Sequence, residues 1–190
     1  MEINKPITNS INLSSKFFEP LIRTVPNFPT EGVMFRDITT LLKDATGLRL
    51  TVKSMADHFR SQHIDRVAGI EARGFILGAA VAYELGLGFV PVRKKGKLPA
   101  ETVGQDYELE YGTDRVEIHT DAIQAGESIL LIDDLIATGG TASASCALIH
   151  SVGANVIGCG FVIDLPDLGG RQRLEGLGLE VFALCEFEGY

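Results

Sequence analysis

Hydrophobic and polar positions form short, alternating patterns along most of the chain, and these patterns predict helices and strands in turn. Residues 48–62 carry apolar side chains at helical spacing, whereas residues 66–70 and 128–132 are continuous apolar runs. A continuous run of this length is typical of a strand that is buried on both faces of a sheet. The same patterns predict helices over residues 14–24, 75–85 and 141–152, the first shortened or kinked by Pro20, and strands over residues 88–92, 155–163 and 180–184.

This alternation predicts an α/β fold with a central parallel sheet and helices on both of its faces. Ligands of such sheets bind at the carboxyl ends of the strands, so the residues that follow the strands are the candidates for function. A loop rich in Lys, Gly and Pro covers residues 94–105, and residues 107–110 and 115–119 alternate with period two, which predicts a hairpin. We expect one domain over residues 13–190, preceded by a flexible polar tail over residues 1–12.

Composition narrows the class of protein. The chain has 190 residues, a net charge of -8 and a pI of about 5.0, which argues against general nucleic-acid binding. Its three cysteines lie in apolar stretches, as expected of free thiols in a reducing compartment. The N-terminus lacks the apolar core of a signal peptide, and no apolar run reaches the roughly 20 residues of a membrane helix. We therefore expect a cytoplasmic protein without membrane or nucleic-acid partners.

The strongest motif is ILLIDDLIATGGT, residues 129–141. An apolar strand leads to two carboxylates, Asp133 and Asp134, which are suited to accept hydrogen bonds from vicinal ribose hydroxyls. A tight turn into a helix follows. Its glycines allow backbone N–H groups to approach an anion, and the helix N-terminus adds partial positive charge. Thr138 and Thr141 add hydroxyl donors, so the segment predicts a site for a phosphomonoester.

Two other interpretations compete for this motif. An apolar strand followed by two aspartates also occurs in P-loop NTPases, but their G-x-x-x-x-G-K-[ST] motif is missing. The sequence has one Gly-Lys pair, Gly96-Lys97, and Leu98 follows it. The second alternative is a buried strand that ends in a solvated acidic turn, and the added TGGT argues against it.

The motif resembles the phosphoribosyl pyrophosphate signature of the type I phosphoribosyltransferases. Further segments resemble the adenine-specific members of that family in order: FPTEGVMFRDIT, GIEARGF, VRKKGKLP and YELEYG. The similarity extends from about Arg23 to Leu165. It implies a small N-terminal hood at about residues 24–40, a flexible hairpin lid at about residues 94–115, a homodimer, and the use of Mg²⁺ held mainly through substrate and water, without direct protein ligands. Asp164 stands where the family often has glutamate.

The resemblance also implies a role for each candidate residue. Glu110 and Tyr111 match the catalytic acidic–aromatic pair of the lid, and Arg73 is assigned both to catalysis and to pyrophosphate. The phosphoribosyl group is assigned to Asp133, Asp134, Ala137, Thr138, Gly139, Gly140 and Thr141. Pyrophosphate is assigned to Ala72, Arg73, Arg93, Lys94 and Lys97, and adenine to Met34, Phe35, Arg36 and Leu165.

The reaction implied by the resemblance joins adenine to phosphoribosyl pyrophosphate and gives AMP and pyrophosphate, a step of purine salvage. One alternative is a regulator that senses phosphoribosyl pyrophosphate without chemistry. It would need a nucleic-acid-binding face, and the sequence has neither an appended helix-turn-helix region nor a basic stripe. Another alternative is a transferase for hypoxanthine, guanine or xanthine, against which the short hood and the MFRDIT segment argue.

Overall fold

A computed structural model describes residues 15–108 and 112–189, so the tail expected over residues 1–12 lies outside the described residues. The strands are β1 (Arg23–Pro26), β2 (Met34–Asp37), β3 (Arg66–Ile70), β4 (Gly88–Lys94), β5 (Thr102–Glu108), β6 (Thr113–His119), β7 (Ser128–Ile136), β8 (Asn155–Asp164) and β9 (Val181–Glu186). The α-helices are α1 (Ser15–Phe18), α2 (Thr39–Lys43), α3 (Ala45–Phe59), α4 (Arg73–Leu85), α5 (Gly140–Ser151) and α6 (Gly170–Glu175). Two 3₁₀ turns cover Glu19–Leu21 and Pro166–Leu168.

The main sheet has seven strands in the order β5-β6-β4-β3-β7-β8-β9. β4, β3, β7, β8 and β9 are parallel to one another, which confirms the predicted parallel centre. β6 and β5 join one edge in antiparallel pairing, so the complete sheet is mixed. β1 and β2 form a separate antiparallel pair in the hood. The order places the carboxyl ends of β3 and β7 side by side at the middle of the sheet.

The core lies on both faces of the sheet. Successive residues of β7 point to opposite faces: Leu131 belongs to the cluster that α5 covers, and Leu130 and Ile132 to the cluster beneath α3 and α4. All three side chains have no exposed surface, and burial of each stabilises the fold by about 1.5–3 kcal/mol. None of the helices in the described part of the chain has the length and apolar character that a membrane crossing requires.

Several predicted boundaries were wrong. The helix expected over residues 14–24 ends at Phe18, because Pro20 lies in the following 3₁₀ turn and Arg23 already begins β1. The strand expected over residues 128–132 continues to Ile136, so Asp133 and Asp134 lie within β7 and not after it. The loop expected to end at residue 105 ends before Thr102, where β5 begins. The short elements β1, α2 and α6 were not predicted.

Candidate active site

A cavity of about 480 Å³ opens at the carboxyl ends of β3 and β7. The position agrees with the rule that ligands of parallel sheets bind at this edge. Its walls come from the β3–α4 turn, the β7–α5 turn and the lid. The lining residues are Ile70, Glu71, Ala72, Arg73, Lys94, Tyr107, Asp114, Asp133, Asp134, Leu135, Ile136, Ala137, Thr138, Gly139, Gly140, Thr141 and Ala142.

Residues 137–141, the phosphate loop, form the turn into α5. Gly139 adopts a φ of 74° and occupies the N-cap position of α5. A Cβ atom at Gly139 would lie 3.0 Å from the carbonyl oxygen of Gly170, so the turn is packed against α6 with no room for a side chain. The first N–H groups of a helix have no partner within the helix. The loop therefore presents the backbone N–H groups of the first turn of α5 and the hydroxyls of Thr138 and Thr141 at the cavity, as an anion site requires.

Asp133 and Asp134, the acidic pair, lie beside this loop. The backbone N–H of Asp134 donates to Oδ1 of Asp133 at 2.8 Å. Burial, and then the neighbouring charge of Asp134, raises the pKa of Asp133 well above its usual range. The first turn of α4 closes over this carboxyl group, because a Cβ atom at Gly74 would lie 2.8 Å from its Oδ1. Two carboxyl groups in a buried corner favour hydroxyl ligands that can satisfy them.

Arg73 connects the acidic pair to the hood. Its Nε forms an ion pair with Oδ2 of Asp134, whose side chain is 6% exposed. The guanidinium carbon also lies 5.5 Å from the centre of the Phe35 ring, within the range of a cation–π contact. Arg73 begins α4 directly after Ala72, and the Glu71–Ala72 peptide bond is cis. The β3–α4 turn thus brings one cation to the boundary between the cavity and the hood.

The other three cations predicted for pyrophosphate, which belong to the basic segment 93–97, are placed differently from Arg73 and from one another. Lys94 lines the cavity, whereas Arg93 donates from Nε to Oε2 of Glu71 at 3.2 Å and from Nη1 to the carbonyl of Lys97 at 2.8 Å. Neither Arg93 nor Lys97 lines the cavity as the described residues form it. Burial raises the pKa of Glu71, but the N–H of Lys94 and the guanidinium of Arg93 outweigh it, so the pKa is lowered. Arg93 therefore supports the basic loop through Glu71.

Sequence reasoning missed two lid residues that line the cavity. The Tyr107 hydroxyl donates to Oδ2 of Asp114 at 3.1 Å and accepts from Oγ1 of Thr141 at 3.4 Å. Nζ of Lys94 lies 3.0 Å from the same Asp114 oxygen, and this contact holds the pKa of Asp114 below its usual range. Asp114 was assigned to a turn, although it pairs with Tyr107 across the β5–β6 hairpin. A correct prediction of the hairpin register would have placed Tyr107 opposite Asp114 and indicated both residues.

The predicted adenine residues lie outside this cavity. Met34, Phe35 and Arg36 form β2, where Met34 is 38% exposed and Phe35 packs edge-on against Phe28 at 5.1 Å. Leu165 follows β8 and donates its N–H to the carbonyl of Ile136, at the end of β7. The contact between Arg73 and Phe35 links this region to the cavity. Glu110 and Tyr111 lie outside the described residues, and their roles stay predictions.

The fold and this cavity define a type I phosphoribosyltransferase-like architecture: a parallel sheet whose central strand carries an acidic pair and a glycine loop, faced by a basic loop. The family model of the phosphoribosyl transferase domain matches residues 39–174. The chain belongs to this family, among the adenine phosphoribosyltransferases.

Relatives and solved structures support this placement. The adenine phosphoribosyltransferase of Nitrosospira multiformis is 70% identical over 168 residues, which cover 88% of this chain and 96% of the relative. The crystal structure of the enzyme from Rhodothermus marinus matches with a TM-score of 0.86 and 47% identity, over 91% of this chain and 98% of that one. The Saccharomyces cerevisiae enzyme, complexed with adenine and an imino-altritol bisphosphate, matches with a TM-score of 0.83 and 38% identity, over 90% and 97% of the two chains.

Proposed function

We propose that this chain transfers the 5-phosphoribosyl group from phosphoribosyl pyrophosphate to adenine, giving AMP and pyrophosphate in purine salvage. The observation that carries the proposal is the convergence of three groups on one cavity: the phosphate loop, the acidic pair and Arg73. They offer donors for a phosphate, acceptors for ribose hydroxyls and a cation for a leaving group. The 70% identity to an adenine phosphoribosyltransferase supports the same reaction.

The phosphate loop and the acidic pair hold the phosphoribosyl group in this proposal. The N–H groups of residues 137–141 and the hydroxyls of Thr138 and Thr141 bind the 5′-phosphate. Asp133 and Asp134 bind the ribose hydroxyls, and these hydroxyls give the buried carboxyl groups hydrogen bonds beyond those from Arg73 and the Asp134 N–H. Because the loop is packed against α6, its donors are oriented before substrate arrives, and little reorganisation is needed on binding.

The reaction also requires positive charge near the pyrophosphate, which is the leaving group. Ala72, Arg73 and Lys94 bind the pyrophosphate, and Arg93 and Lys97 add positive potential behind Glu71. Positive charge develops on the ribose as its bond to pyrophosphate breaks, and a ring nitrogen of adenine forms the new bond from the opposite face. The protein contributes mainly by positioning the two ligands and by stabilising charge. Glu110 and Tyr111 belong to the lid in this proposal, with Glu110 assisting proton transfer on the purine.

Mg²⁺, a homodimer and a cytoplasmic location belong to the same proposal. Mg²⁺ neutralises charge on the pyrophosphate when bound, and it keeps several waters, so it needs few protein ligands. Within residues 15–108 and 112–189, no group of three or more His, Cys, Asp or Glu residues could hold a metal. Asp133 and Asp134 would hold Mg²⁺ indirectly, through bound water and the ribose oxygens. Cys146, Cys159 and Cys185 are free thiols, which suits the cytoplasm. In the same proposal, residues 13–190 form one domain.

The adenine site lies between β2 and the residue after β8. Backbone groups at Met34 and Arg36 recognise the purine edge, Phe35 offers an aromatic surface, and Leu165 packs on the other face. A fixed backbone pattern distinguishes adenine from hypoxanthine and guanine, since the wrong base leaves donors facing donors. Each such buried mismatch costs about 1–3 kcal/mol.

A crystal structure with bound AMP tests whether the phosphate loop and the acidic pair form the phosphoribosyl site. We expect the phosphate to contact the backbone amides of residues 137–141 and the ribose to contact Asp133 and Asp134. A phosphate bound elsewhere on the protein would refute the assignment of the phosphate loop.

A further inference from the structure

The C-terminal segment, residues 187–189, crosses from the end of β9 to the hood. The guanidinium carbon of Arg36 lies 4.6 Å from the centre of the Phe187 ring, and Nη2 of Arg36 donates to the carbonyl of Glu188 at 3.1 Å. Nη1 of Arg36 donates to Oγ1 of Thr24 in β1 at 2.6 Å. The side chain of Arg36 is thus held between the hood and the C-terminal segment, while its backbone remains part of β2.

The same segment is bound to the last residue of β8 and to the turn that follows it; residues 164–168 are called the Leu165 loop. The N–H of Phe187 donates to the carbonyl of Asp164 at 3.0 Å. The N–H of Gly189 donates to Oδ2 of Asp167 at 2.9 Å. These two contacts flank Leu165 on either side in sequence. Residues 187–189 therefore contact β2 and the Leu165 loop at the same time.

The hood needs such an external support. β1 and β2 form a pair of four-residue strands, and a two-stranded ribbon of this size is marginal on its own. Met34 is exposed, and β2 joins the core at its other end, where Asp37 is buried and the fully buried Ile38 follows it, so the position of the Met34–Arg36 part of the strand also depends on the contacts of Arg36. Recognition by backbone groups depends on where the backbone lies, because a hydrogen bond of about 2.9 Å is lost when its two partners move about 1 Å apart.

We propose that the C-terminal segment is a positioning element for base selection, which fixes β2 at a set distance from the Leu165 loop. The inference rests on the proposed function, because it takes these two segments as the walls of the adenine site. The segment needs no contact with adenine itself. Its effect passes through Arg36 on one side and Asp167 on the other.

Kinetics of a chain that ends at Glu186 test this role, since every contact of the segment is removed. We expect the KM for adenine to rise about tenfold, by the loss of a few net hydrogen bonds and one cation–π contact, while kcat and the KM for phosphoribosyl pyrophosphate stay unchanged. The preference for adenine over hypoxanthine should fall in parallel. A role limited to stability would instead lower the unfolding temperature and leave the adenine KM unchanged, and that result would overturn the proposal.

Point variants keep the test decisive if the shortened chain fails to fold. Phe187→Ala removes the ring beside Arg36, and Asp167→Ala removes the acceptor of the Gly189 N–H; each should raise the adenine KM about threefold. Glu188→Ala is the matched control, because Arg36 uses the backbone carbonyl of this residue and its side chain is exposed. An unchanged adenine KM in both point variants, or equal rises for both substrates, would overturn the inference. A wild-type protein inactive with adenine would instead refute the proposed function.

Discussion

The proposed phosphate side, formed by the phosphate loop and the acidic pair, and the proposed base side, formed by β2 and Leu165, are built in different ways. On the phosphate side, one continuous segment supplies the acidic pair and the loop, and the strand that carries them is buried on both faces. On the base side, β2 is partly exposed, and its Arg36 contacts a carbonyl 152 residues away in sequence. The phosphate side is thus fixed by local sequence and core packing. The base side depends in addition on long-range contacts of Arg36, so the two sides should respond differently to substitution.

The largest effect is expected from Gly139→Ala. Gly139 and Gly86 have nearly the same φ, 74° and 72°, but only Gly139 is packed, with Gly170 3.0 Å from the added Cβ. Both variants acquire similar backbone strain, and only Gly139→Ala distorts the phosphate loop. We expect kcat/KM for phosphoribosyl pyrophosphate to fall about 10²-fold in Gly139→Ala. Gly86→Ala should lose only stability, by about 1 kcal/mol. Equal kinetic losses in both variants would show that strain, and not the loop, is responsible.

Arg73→Ala should have the next largest effect. In the proposed function Arg73 supplies a charge-assisted contact to pyrophosphate, so its loss should weaken binding of phosphoribosyl pyrophosphate about tenfold to a hundredfold. AMP lacks the pyrophosphate, so its affinity should change little. Arg60→Ala is a suitable control, since this arginine is similarly exposed and pairs with Asp57 and Glu84. Titration calorimetry with phosphoribosyl pyrophosphate and with AMP measures the two affinities. Equal losses of affinity for the two ligands would contradict the assignment of Arg73 to pyrophosphate.

Asp114→Asn should give a smaller effect that depends on pH. Asp114 binds both Lys94 and Tyr107, and its hydrogen bond raises the pKa of Lys94. Without this carboxylate, the KM for phosphoribosyl pyrophosphate should rise about threefold to tenfold. The pKa of Lys94 should fall back towards its ordinary value of 10.5, so the variant should lose affinity at a lower alkaline pH than the wild type. Asp106→Asn, an exposed carboxylate of the same hairpin, should behave as wild type in steady-state assays.

Asp37→Asn probes the hood, and we expect the smallest effect. The hydrogen bond from Arg23 lowers the pKa of Asp37 from 3.8 to about 2. A carboxyl group with a lowered pKa in the folded state stabilises the protein above pH 3.8, and this contribution is lost as the pH falls towards 2. Because the side chain of Arg23 is 58% exposed, screening by solvent limits the contribution of this ion pair to the free energy of unfolding to about 1 kcal/mol. Urea unfolding should give a lower free energy of unfolding for the variant than for the wild type at neutral pH, and equal values for both near pH 2.

The residues proposed for the phosphate side could be located from the sequence because their signals are local. The apolar run of β7, the acidic pair and the TGGT turn are adjacent along the chain, and the structure brings them to one cavity. Local patterns could not show contacts that depend on distant partners. Arg93 belongs to the cationic run, yet it pairs with Glu71 because β3 and β4 are neighbours in the sheet.

The base side could not be derived from local patterns. The resemblance located Met34–Arg36 and Leu165, but no periodicity indicates that residues 187–189 connect them. Tyr107 and Asp114 were missed for a related reason. Their contact depends on the register of a hairpin whose turn was predicted a few residues too late along the chain.

Release of pyrophosphate, measured with adenine, hypoxanthine and guanine in turn, tests the central claim most directly. Adenine presents an amino donor beside an unprotonated ring nitrogen, whereas the other two present a carbonyl beside a protonated nitrogen. A backbone-lined site cannot rotate to suit both patterns, and we expect kcat/KM for adenine to exceed the others by about 10⁴. Comparable kcat/KM values for hypoxanthine or guanine would contradict the assignment of adenine and leave only the phosphoribosyltransferase class.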